Sequence, residues 1–225
     1  MATTMTAAAQ DLVVTTGGVV LHGDLVVPAG ARGVVAFAHG SGSSRNSPRN
    51  QHVARMLQQR RLATVLVDLL TGEEEVVDER TARLRFDIPL LGERMSGIVE
   101  WLGMRAETRD LPSGLFGAST GAAAALEAAA VHPGAVNAVV SRGGRPDLAG
   151  AALERVMAPT LLIVGGLDTQ LIQLNRAAMQ RLSCEVELSI VPGATHLFGE
   201  PGTLTRVAEL AADWFARHLR RRETS

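Results

Sequence analysis

The stretch "GLFGASTGAAAA" (residues 114–125) sets one serine between two glycines, at the point where an apolar run gives way to a row of alanines. Leu115 and Phe116 end a segment of strand character, and alanine is the strongest helix former among the amino acids. A serine at such a hinge, with glycines two residues before and two after, matches the G-x-S-x-G turn. There small residues let strand and helix pack closely and leave the hydroxyl exposed at the end of a sheet. Gly117, Ser119 and Gly121 supply that pattern. The plainer reading is a tight turn in which Ser119 only caps the helix.

Outward from this hinge, short apolar runs rich in β-branched residues alternate with longer helical patterns. Before it lie "DLVVTT" and "VVLHGDLVVP", joined by Gly17-Gly18 as a hairpin, then the strand "GVVAFAHG", a helix in "NQHVARMLQQRR", the strand "ATVLVDLL" and a helix over residues 81–106. After it come a helix over 119–131, the strand "AVNAVVSRG", a short helix near 147–156, the strand "PTLLIVGG", a helix over 170–182, the strand "EVELSIVPG" and the closing helix "TLTRVAELAADWFARHLRRR". Strands that stay apolar at consecutive positions are buried on both faces, which predicts a mostly parallel sheet of about eight strands with helices on both sides. Residues 40–49 and 71–80 are the longest irregular segments. Both follow strands, so they are candidate walls for a site at the carboxyl ends of the sheet.

At 225 residues and 46% hydrophobic content the chain suits one domain, residues 1–225. Its 22 basic and 23 acidic residues nearly cancel, which argues against nucleic acid and against attraction to a membrane surface. The single cysteine, Cys184, excludes an internal disulfide and a multi-cysteine metal site. The start "MATTMTAAAQD" has neither a basic region nor an apolar core, and a cytoplasmic location is expected.

A serine hydroxyl is a weak nucleophile and needs a base, which in turn needs an orienting carboxylate. In this architecture they follow in the order serine, acid, histidine. His132 ends the helix that starts at the serine, and His218 sits in a helix terminus, so His196, in the loop "VPGATHLFGE" beyond the last strand, is the candidate base. Asp168 follows "TLLIVGGL" at a strand end and is the preferred acid; Asp147, one strand earlier, is the competitor. The oxygen that becomes negative needs fixed N–H donors. Thr120 offers one from the helix start, and Ser41, in "AFAHGSGSS", offers the second. Arg142 and Arg145, in "SRGGRPD", are candidates for binding a substrate carboxylate, whereas Glu73, Glu74 and Glu75 suit a solvated face. Only about 17 residues separate the strand ending near Arg142 from the one beginning at Thr160, too few for a large lid.

Taken together, "HGSGSS", "GASTGAAAAL", "LLIVGGLD" and "ATHLF" resemble, in order and over nearly the whole chain, the α/β-hydrolase superfamily and within it the dienelactone hydrolase-like group. The resemblance implies an α/β-hydrolase fold, Ser119 as nucleophile, Asp168 as acid, His196 as base, Ser41 and Thr120 as oxyanion donors, and no metal or organic cofactor. Dienelactone hydrolase itself uses a cysteine nucleophile, so its substrate does not carry over. The expected reaction is cleavage of a small ester or thioester through an acyl-enzyme, with the oligomeric state open. "TARLRFDIPLL" and "HLFGEPGTL" also resemble hydrolase-like domains found beside a phosphoribosyltransferase domain. That leaves a second possibility, a binding module of hydrolase fold with little catalysis.

Overall fold

The computed structural model describes residues 8–220. Residues 1–7, part of the start read above as having neither a basic region nor an apolar core, and the last arginines of the closing segment lie outside that range. The element order is β1 (Gln10–Thr16), β2 (Val19–Val26), β3 (Gly33–Ala38), α1 (Pro48–Gln59), β4 (Leu62–Val67), α2 (Gly72–Thr81), α3 (Ile88–Met104), β5 (Ser113–Ala118), α4 (Thr120–Val131), β6 (Val136–Arg142), β7 (Thr160–Gly165), α5 (Thr169–Met179), β8 (Val186–Val191) and α6 (Thr203–His218). Among the described residues the eight strands form one mixed sheet in the order β1-β2-β4-β3-β5-β6-β7-β8. The β1–β2 hairpin and the β2–β4 pairing are antiparallel, and the pairings from β4 through β8 are parallel.

The burial of each strand follows its sequence pattern. β1 alternates, with Leu12 and Val14 inside and their neighbours out, as an edge strand covered on one face should. β3, β4 and β7 are buried at every residue. α1 and α6 cover one face through Val53, Leu57, Val207, Trp214 and Phe215. α3, α4 and α5 cover the other, where the alanines of α4 pack against Met95, Ile98 and Leu115. No helix among the described residues is long and apolar enough to cross a membrane.

Three expectations change. Residues 71–80 are not irregular but form α2, whose start is closed by a capping box: Thr71 Oγ1 accepts the Glu74 N–H and the Glu74 carboxylate accepts the Thr71 N–H. α2 carries no apolar stripe, so hydrophobic periodicity does not reveal it. The helix expected over 81–106 starts only at Ile88. Ala82 turns left-handed at φ 53°, a 3₁₀ turn spans Leu84–Phe86, and Asp87 caps α3 ahead of Pro89. The short helix near 147–156 is a 3₁₀ segment, Pro146–Arg155, broken at Gly150.

The glycines of the hinge set how close α4 can come. A Cβ on Gly121 would run into the carbonyl oxygens of Ala38 and His39, and one on Gly117 would meet the backbone of Gly121 and Ala122. Both obstacles are backbone, which cannot rotate aside. Gly134, by contrast, has nothing within 4 Å of where a Cβ would stand. Gly121→Ala is therefore expected to lower the unfolding free energy by roughly 2–3 kcal/mol, the scale of overpacking a filled site, and Gly134→Ala to change it by less than about 0.5 kcal/mol. Urea denaturation of the two variants checks this, and equal midpoints would contradict the packing described.

Candidate active site

Ser119 sits between β5 and α4 with φ 51° and ψ −121°, a conformation that a non-glycine residue adopts only under constraint. The constraint is visible in its hydrogen bonds. Its N–H donates to the Arg142 carbonyl (3.3 Å), and its carbonyl accepts from the N–H groups of Ala122 (3.2 Å) and Arg145 (3.0 Å). The Ser119 hydroxyl makes no capping bond to α4, so the plain N-cap reading does not describe this turn.

His196 and Asp168 come together because the β7 and β8 ends are laced by backbone. Gly166 N–H donates to Val191 O (2.8 Å) and Leu167 N–H to Ala194 O (3.0 Å), while a side chain at Gly165 would strike the carbonyls of Ala194 and Thr195. Asp168 caps α5 through Oδ1, which accepts from the Leu171 N–H (3.2 Å), leaving Oδ2 at 3.0 Å from His196 Nδ1. Asp147 turns elsewhere: its carboxylate takes the Arg145 fork at 2.7–3.2 Å. Ser119 and His196 line one cavity of about 140 Å³ together with Ser41, Arg49 and Arg142. No hydrogen bond joins the two side chains among the described residues.

The loop after β3 presses against this turn, since a Cβ on Gly40 would stand 3.0 Å from Ser119 Cβ. Ser41 and Thr120 meet through their hydroxyls at 3.0 Å, and Ser41 also donates to the Arg85 carbonyl at 3.4 Å. His39, 8% exposed, fixes the loop from within. Its Nε2 accepts the Leu69 N–H at 3.0 Å, so Nδ1 carries the proton and donates to the Gly40 carbonyl, also at 3.0 Å. Burial pushes its pKa below the ordinary imidazole value and keeps the ring neutral.

Beyond Ser41 and Thr120 lies a second cavity of about 330 Å³, lined in part by Glu75, Asp78, Glu79 and Arg85. Asp78 Oδ2 accepts from Arg85 Nε at 2.6 Å and Oδ1 from the Arg85 N–H at 3.0 Å, which ties the turn after α2 to α2 itself, while the Arg85 carbonyl meets Ser41. Burial, reinforced by Asp68, Glu79 and Asp78, raises the Glu75 carboxyl.

The two candidate arginines separate. Arg145 is occupied by Asp147 and does not line the cavity with Ser119. Arg142 does line it, with 6% of its surface exposed and one bond from Nη2 to Asn50 Oδ1 at 3.2 Å. Sequence reasoning missed Arg49, Asn50, His39 as a structural ring, and the Asp78–Arg85 pair. The candidate wall over residues 40–49 marked the neighbourhood of the first two, but no spacing rule brings residue 49 to residue 142.

No family model matches the chain. Over 210 residues, 93% of this chain, it is 54% identical to a Mycobacterium tuberculosis protein that bears the name "Putative phosphoribosyl transferase". The match spans only 46% of that protein, so the chain corresponds to about half of its length. Two solved structures share the fold at low identity. One is a dienelactone hydrolase-like promiscuous phosphotriesterase from metagenomic libraries (TM-score 0.76, 16% identity, 95% of this chain and 99% of that one). The other is a cold-adapted esterase from an Arctic intertidal metagenomic library (TM-score 0.75, 14% identity, 96% of each chain). A dienelactone hydrolase from Anabaena variabilis is far nearer, with a TM-score of 0.94 and 56% identity across 96% of this chain and 100% of that one. With its sheet order, its hinge and that likeness along its length, the chain belongs to the dienelactone hydrolase-like family of α/β-hydrolases.

Proposed function

We propose that the chain is a serine hydrolase that cleaves a small ester or thioester through an acyl-enzyme on Ser119. The observation that carries this reading is the strained Ser119 turn, its hydroxyl unused as a cap and facing one cavity with His196, whose Nδ1 is held by Asp168. In the reaction Ser119 Oγ attacks the carbonyl carbon while His196 Nε2 takes its proton. The carbonyl oxygen becomes an oxyanion next to the amides of Ser41 and Thr120. On collapse the bond to the leaving oxygen or sulfur breaks, and His196 returns the proton to it. Water then repeats the sequence on the acyl carbon and releases the acid and free Ser119.

Cys184 does not compete for the nucleophile's role. It is half-buried between α5 and β8, beside Thr160 Oγ1 at 3.8 Å, and burial pushes its thiol up, away from the reactive thiolate. Phosphoribosyl transfer by this segment is disfavoured by the lack of a paired-acid phosphate loop, and the relative's name covers a protein twice as long.

Ser119→Ala is expected to abolish turnover of p-nitrophenyl acetate. Asp168→Asn should lower kcat by roughly 10³-fold or more, because the imidazole loses the partner that sets its tautomer. Asp147→Asn, which removes only a partly exposed pair with Arg145, should stay within about threefold of the parent. If Asp147→Asn is the crippling change, the acid is misassigned.

The 140 Å³ cavity also limits the acyl chain. A deep pocket would raise kcat/KM several-fold per carbon, because each buried methylene is worth about 0.8 kcal/mol. Rates measured below micelle-forming concentrations should level off after butyryl and fall by octanoyl. A steady rise through dodecanoyl would contradict the small-substrate reading.

A further inference from the structure

Arg142 is a buried cation without a buried anion. No carboxylate stands within ion-pairing distance of it or of Arg49 among the described residues. The charged group that bears most on Arg142 is Arg49, and burial together with that repulsion pushes the Arg142 guanidinium down to about 10. Its Nε and the Nε of Arg49 are both buried and without hydrogen-bond partners, and its one polar contact is the neutral Asn50 amide. Enclosing a charge without compensation is among the costliest arrangements in a fold. This chain does so at Arg142, beside the half-buried Arg49, on the wall of the cavity that holds Ser119 and His196, where no acidic side chain contributes to the lining. Arg145, two residues beyond Gly143, has the opposite arrangement: an acid of its own and no place in the cavity.

We propose that Arg49 and Arg142 form an anion subsite beside Ser119, which receives a carboxylate or phosphate group borne by the same molecule whose ester Ser119 attacks. The proposal rests on the reading of Ser119 as nucleophile and narrows its substrate to anionic esters or thioesters. A guanidinium presents several N–H donors in one plane, and the two unpartnered Nε groups are donors that an oxyanion would satisfy. The cavity's size limits the occupant to the reacting carbonyl, a few carbons and one such anionic group. An anion there would neutralise the pair's mutual repulsion, so binding should strengthen at low salt and weaken as salt is added.

The test compares p-nitrophenyl hydrogen glutarate with p-nitrophenyl valerate, acyl groups of equal length that differ in the terminal charge. The parent protein should favour the glutarate ester by roughly tenfold or more in kcat/KM, the scale of one charge-assisted hydrogen bond. The preference should shrink with added KCl. In Arg142→Gln and in Arg49→Gln the ratio should fall toward one, mainly through KM for the glutarate ester, and Arg142→Lys should retain part of it. Equal losses on both esters would assign the arginines to the oxyanion or to packing and overturn the subsite. Calorimetric titration of Ser119→Ala with glutarate and with inorganic phosphate separates the two readings and tells carboxylate from phosphate. Binding of either ion that is lost in the Ser119→Ala, Arg49→Gln double variant supports the subsite even if neither ester is turned over. Failure of both ions to bind, with or without turnover, overturns it.

Discussion

The first turn of α4 passes so close to the carboxyl end of β3 that the Ala38 and His39 carbonyl oxygens occupy the space a side chain at residue 121 would need. The other features of the site follow from that approach. It forces the chain between β5 and α4 into the left-handed turn at Ser119, because no relaxed connection reverses direction in so few residues. It brings Gly40 against Ser119 and sets the hydroxyls of Ser41 and Thr120 3.0 Å apart, although they are distant in sequence. The Arg142 carbonyl and the Arg145 N–H then clamp the turn from β6. The strain is thus held by backbone hydrogen bonds from a neighbouring strand end rather than by the serine side chain, and the hydroxyl stays available.

Around that turn the charges are divided. On the side of Ser41 that faces α2, the larger cavity carries Glu75, Asp78 and Glu79, with Arg85 neutralising Asp78. On the Ser119 side the wall holds two guanidinium groups and no acid. A substrate carbonyl placed at Ser119 would therefore have a positive field on one side and a negative one beyond the Ser41 loop, a gradient that orients a polar molecule before any bond changes. His39 contributes to neither field. Buried and neutral, it serves as a hydrogen-bonded strut between Leu69 and Gly40.

The parallel strands were readable because burial on both faces leaves uninterrupted apolar runs such as "GVVAFA" and "TLLIVG", which little else in a chain of this composition explains. The approximate positions of Ser119 and Asp168 were readable because each lies just past such a run, and that of His196 because it follows the last strand. α2 was hidden because helical periodicity needs an apolar face, and "GEEEVVDERT" has none; its capping box was the one local signal. The late start of α3 was signalled by Asp87 and Pro89, residues that favour a helix's first turn, but the apolar residues ahead of them extended the pattern past it. Arg142 was a candidate from its place just after a strand, but its pairing with Arg49 lies beyond any such reading. An arginine in a loop is ordinarily solvated, and only the fold shows that Arg142 is buried and that the Nε of each arginine is enclosed at the same wall.

The central claim is that Ser119 is the residue that becomes acylated. Incubation of the folded protein with a fluorophosphonate probe, followed by proteolysis and mass mapping, addresses it without knowledge of the natural substrate. The account predicts a single phosphonyl adduct on the peptide that contains Ser119, absent when Ser119 is replaced by alanine. An unlabelled Ser119 peptide from folded protein would contradict the account and leave a ligand-binding module of hydrolase fold.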